Sequence, residues 1–73
     1  MRHDDEAVRR IIAGRAPFTG AHEADRDQAI RVLLADDLTV MQVAARLAIG
    51  HGTVRRVVRR DEERAARLAR VAS

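Results

Sequence analysis

The stretch Thr53-Val54-Arg55-Arg56-Val57-Val58-Arg59-Arg60 alternates pairs of valine and arginine. On a helix turning about 100° per residue, Arg55, Arg56, Arg59 and Arg60 fall within roughly 140° of one another, and Val54, Val57 and Val58 lie opposite. The spacing therefore predicts one core face and one cationic ridge. Guanidinium groups set this close repel each other, and no acid stands among them at a favourable helical interval. Such a ridge attracts an external anion. Its plain alternative is a solvated charged face.

The remaining charge points the same way. All 14 basic residues are arginine, a usage that fits a GC-rich genome better than a selected chemistry. Residues 1–37 carry 6 Arg against 8 Asp and Glu, and residues 38–73 carry 8 Arg against 3, so a half of charge −2 precedes one of +5. A basic half of this kind suits a polyanion such as nucleic acid.

Other chemistries lack their residues. With no cysteine there is no disulfide, thiolate zinc site or thiol nucleophile, and a reducing cytoplasm fits. His3, His22 and His51 stand in three separate segments, and no glycine-rich phosphate loop follows a strand. The acids cluster at predicted helix starts, where capping and dipole effects account for them. No metal, cofactor, small-molecule ligand or enzymatic activity is therefore expected. Apolar runs such as Val32 to Ala35 fall far short of the roughly 20 residues a membrane span needs. The start, MRHDDEAVRR, is too acidic for a signal peptide.

The elements that must position the ridge follow from local signals. A chain of 73 residues is expected to form one domain, residues 1–73, with a marginal core. Phe18 is the sole aromatic residue, so Val, Leu, Ile, Ala and Met must fill the interior, which favours an all-α fold. Within residues 1–13, the segment DDEAVRRIIA places acids first, then Val8, Ile11 and Ile12 at helical spacing, with Gly14 as the stop. Residues 14–24 read as a linker or arm, because Pro17 pushes Ala16 out of the helical region.

Residues 25–60 read as a three-helix core. The first of these helices runs from Asp25 to Asp36, with Asp25 and Gln28 at cap spacing and Ile30, Leu33 and Leu34 on one face. The second has the capping box Thr39 with Gln42 before Val40, Val43, Ala44 and Leu47, and ends near Ala48. The third begins at about residue 51.

Past Gly52 no Gly or Pro occurs up to Ser73, so one long helix or two broken near Asp61 both fit. Continuing the count puts Asp61 in the valine stripe, where a lone buried carboxylate is costly. A break is favoured, with Asp61 capping a separate helix that carries Glu62 and Glu63 in its first turn; the alternative is a projecting helix that leaves Asp61 wet. The extension, residues 61–73, carries a thin stripe of Ala65, Leu68, Ala69 and Ala72. Packing on the domain is expected for it, with a second subunit, and hence a homodimer, as the alternative.

From Thr39 to Val58 the order is capped helix, small central residue, apolar closing residue, tight turn, apolar plug, new helix. This resembles a helix-turn-helix. GHGTVRR at 50–56 is similar to the start of recognition helices in sigma-factor region four and LuxR-type regulators. The three-helix unit, preceded by GRAP at 14–17, resembles the DNA-binding end of serine recombinases and DNA invertases over about residues 14–60. The resemblance implies close helix crossing at Ala44, with Val43, Leu47, Ile49, Val54 and Val57 in the shared core. The chain departs from the pattern at Ala48, where glycine is usual; a left-handed backbone there costs alanine roughly 1 kcal/mol more than glycine.

The same resemblance implies a double-stranded DNA partner and a recognition helix in the major groove. His51, Gly52, Arg55 and Arg56 then face base edges, the two arginines being suited to guanine O6 and N7. Arg59, Arg60, Thr39 and Thr53 would meet phosphates, and Arg15 would enter the minor groove from the arm. Recombination itself is excluded, because those relatives keep catalysis in another domain. The expected role is a small phage or bacterial transcriptional regulator, repressor or Cro-like. A protein-interaction adaptor or antitoxin, and an architectural or recombination accessory DNA-binding protein, are the alternatives.

Overall fold

Asp4 sets where the first helix begins. Its carboxylate accepts the backbone N–H groups of Glu6 and Ala7 at 3.0 and 3.4 Å, serving donors that have no partner inside helix α1, Asp5–Ile12. Asp5 and Glu6 stand at the positive end of this helix and Arg9 and Arg10 at its negative end, each where the helix dipole favours it. Gly14 then takes φ +75°, which ends the helix where the sequence indicates.

The computed structural model describes residues 2–72. Three further helices follow α1: α2, Glu23–Ala35; α3, Val40–Leu47; and α4, His51–Ala72. The described residues contain no strand, and none of their helices is long and apolar enough to cross a membrane. The protein is all-α.

Helix α2 starts two residues before the Asp25 cap that the spacing predicts. His22 occupies the N-cap in extended conformation, without a side-chain cap bond. Asp25 does something else: only 5 % exposed, its carboxylate accepts the backbone N–H of Asp4 at 2.6 Å. It thus ties the start of α1 to the first turn of α2.

The Thr39 box forms as read. The Thr39 hydroxyl oxygen accepts from Gln42 N–H at 3.1 Å, and Gln42 Oε1 accepts from Thr39 N–H at 2.8 Å. At the other end of α3, Ala48 adopts φ 57° and ψ 45°, and Ile49 N–H donates to the Ala44 carbonyl at 2.9 Å. The turn is left-handed despite carrying alanine.

Helix α4 is unbroken over its 22 residues, so the favoured break at Asp61 does not occur. The cost that argued for a break is absent because Asp61 is not alone. Arg31 of α2 holds it with two bonds, Nε to Oδ2 at 2.8 Å and Nη2 to Oδ1 at 2.9 Å. Beyond this pair every residue from 62 to 72 is exposed, and Leu68 and Val71 are 63 % and 80 % exposed. The extension therefore projects from the domain, contrary to the expected packing. With only Leu68 and Val71 as large apolar residues, it has little surface to bury there.

The core draws on all four helices. Ala29, Ile30, Val43 and Val54 are fully buried, joined by Val8, Ile11, Leu33, Ala44, Leu47 and Val57. Helix α1 packs chiefly on α2, and α3 chiefly on α4. Ala16, Phe18 and Ala21 close over this core from the segment between α1 and α2. That segment is a folded connection, not a free arm.

Candidate nucleic-acid interface

Helix α4 divides along its length into faces that the valine-arginine pairs dictate. Val54 and Val57 are buried against the domain, Val58 is half-buried, and His51, Gly52, Arg55, Arg56 and Arg59 are exposed. Because the valine face is locked on the core, the arginine face has one fixed direction. Among the described residues no carboxylate pairs with Arg55, Arg56 or Arg59. The helix start beside them adds the partial positive charge of its free N–H groups.

Arg60 departs from the ridge. Its guanidinium lies 2.8 Å from Asp27 and 3.5 Å from Glu23, both on α2, so it joins two helices and its charge is compensated. The phosphate role expected for it does not match this placement. Neither acid stands at a helical interval from Arg60, since Asp27 is 33 positions away.

The other expected contacts are dispersed. Thr53 is half-buried in the first turn of α4, close to the ridge. Thr39, at the start of α3, is exposed, but its hydroxyl oxygen and its N–H are both engaged in the capping box. Arg15 is exposed and borders a depression with Glu6, Arg9, Arg10 and Ala13. It is grouped with α1, and no residue of α4 shares that depression.

Several arginines have positions that local patterns do not reveal. Arg46 reaches from α3 to donate to the Ile12 carbonyl at 3.3 Å, and Arg26 lies over the Phe18 ring, 5.7 Å from its centroid. The presence of one aromatic residue is the only sequence signal for the latter contact. The Arg31–Asp61 pair shifts both groups. Hydrogen bonding to Arg31 holds the Asp61 carboxyl below its ordinary value against the opposing effect of burial, aided by the charges of Arg31, Arg64 and Arg60. The same bond raises Arg31.

Among the described residues no group of three or more His, Cys, Asp or Glu side chains could hold a metal ion. What the arrangement can do is present three uncompensated guanidinium groups, a histidine and a helix start on one rigid face. No protein-family model, curated protein or solved structure matches the chain.

Proposed function

We propose that the protein binds double-stranded DNA sequence-specifically, with α3 and α4 acting as a helix-turn-helix and the first turns of α4 entering the major groove. The observation that carries this reading is the exposed, uncompensated trio Arg55, Arg56 and Arg59 on a helix whose opposite face is anchored by Val54 and Val57. The tight left-handed turn at Ala48 and the buried Ala44 support the pairing of the two helices. Arg55, with His51 and Gly52, faces the base edges; Arg59 and Thr53 face phosphates.

The mechanism is occupancy. Neutralised phosphates release counterions, base contacts select the site, and a bound operator excludes the polymerase. On this reading the chain is a small transcriptional repressor of bacterial or phage type. The exposed Leu68 and Val71 on the projecting end of α4 favour a second reading, an adaptor that docks on another protein.

Binding to genomic fragments and to a random duplex, measured across salt concentrations for the wild type and an Arg55→Ala, Arg56→Ala double variant, separates the two. Repression by occupancy requires a fragment preference that the double variant loses. Absence of salt-dependent duplex binding by the wild type would leave the adaptor.

A further inference from the structure

A small polar cleft lies between the first turns of α2 and α4, bounded by Glu23, Arg26 and Asp27 on one side and Thr53, Arg56 and Arg60 on the other. Its charges do not cancel. Asp27 and Glu23 are engaged with Arg60, and among the described residues no carboxylate pairs with Arg26 or Arg56. Two uncompensated guanidinium groups therefore border a space of about 90 Å³. A cavity needs only roughly 10–15 Å³ on this measure to hold one water, so the cleft has room for a group of several heavy atoms such as one phosphate.

Arg26 is held without being satisfied. Its Nε is buried with no hydrogen-bond partner, and its guanidinium rests on the ring of Phe18, the only aromatic face in the chain. A cation over a ring is attracted to it and fixed in orientation, but its N–H groups gain no acceptor. Asp27, the adjacent acid, gives its carboxylate to Arg60 instead. The result is a planar donor fork kept in place with no carboxylate among the described residues to receive it.

We propose that this cleft seats one backbone phosphate of bound duplex DNA, with Arg26, Arg56 and the Thr53 hydroxyl as its donors. This rests on the DNA reading above and deepens it: Arg56 grips the backbone, leaving Arg55 to read bases, and α2 joins the interface through Arg26. A guanidinium fork matches two phosphate oxygens at once. A phosphate fixed between α2 and α4 sets the depth and register of the recognition helix while carrying no sequence information.

The test is binding of a short mixed-sequence duplex across salt by the wild type, Arg26→Gln, Arg26→Lys and Arg56→Gln, with thermal melting of each. Arg26→Gln and Arg56→Gln each lower the slope of log affinity against log salt by about one. Each also weakens binding roughly five- to tenfold, by the same factor on any sequence. Arg26→Lys keeps the slope through its charge but not the full affinity, because it lacks the fork. A wild-type slope in either glutamine variant that melts like the wild type overturns the cleft proposal and leaves the DNA reading standing; Arg56 is exposed, so its variant keeps the fold. No salt-dependent duplex binding by the wild type overturns both.

Discussion

At the scale of single residues, Asp61 shows how a charge that looks misplaced in the sequence becomes a link in the fold. Arg31 holds its carboxylate by two bonds, and with both side chains about a third exposed the pair is worth about 1 kcal/mol. Asp61→Asn is expected to lower the unfolding free energy by about that amount at neutral pH, read from urea midpoints. The folded-state pKa lies below the ordinary 3.8, so the contribution is complete above that value and is lost as pH falls through the folded-state value. Urea curves of wild type and variant should therefore converge as the pH drops below about 4; a gap that persists unchanged in acid would refute the charge-based account. Ala48 is a second single-residue case. With φ 57° its Cβ crowds the backbone, and Ala48→Gly is expected to raise stability by up to about 1 kcal/mol, reduced in part by the extra freedom glycine has when unfolded. An unchanged or lower urea midpoint would show that the left-handed turn is not strained.

At the scale of elements, what could be read from the sequence separates by the distance between the partners. The ends of α1, the Thr39–Gln42 box and the Val54–Val57 stripe depend on residues within one or two turns, and periodicity and capping chemistry expose them. Asp25 with Asp4, Arg31 with Asp61 and Arg60 with Asp27 are 21, 30 and 33 positions apart, and no local pattern connects them. This is why the start of α2 and the continuity of α4 differ from the local expectation: in each case a carboxylate at cap spacing has a distant partner. The candidate site divides likewise. The exposed arginine face was legible, whereas the loss of Arg60 from it and the placement of Arg26 over Phe18 were not. Because residues 62–72 are exposed, removal of residues 65–73 is expected to move the thermal midpoint by no more than about 3 °C, since 1 kcal/mol corresponds to about 4–8 °C in a domain of this size. Val57→Ala in the packed half of the same helix should cost about 2 kcal/mol and shift the midpoint several times further. Melting curves that ranked the two changes in the opposite order would mean that the projecting end stabilises the domain.

At the scale of the whole molecule, the question is which arginines of a chain with a net charge of only +3 are left exposed without a partner. Ion pairing inside the fold decides it. Arg31 and Arg60 are matched by Asp61, Asp27 and Glu23 across the contact between α2 and α4, and Arg10 is matched by Glu6 within α1. Arg31 and Arg60 join α2 to α4, while among the described residues no carboxylate compensates Arg55, Arg56 or Arg59. Two adjacent positions in one arginine pair, Arg59 exposed and Arg60 half-buried, therefore predict different phenotypes. Arg59→Gln should reduce the salt dependence of duplex binding by about 0.9 in slope and leave the melting temperature unchanged. Arg60→Gln should instead remove up to about 1 kcal/mol of stability, because it leaves Asp27 and Glu23 of α2 without their partner. If both substitutions reduced the slope equally and neither altered melting, charge would act here only through its sum, and the division between fold-holding and ligand-facing arginines would fail.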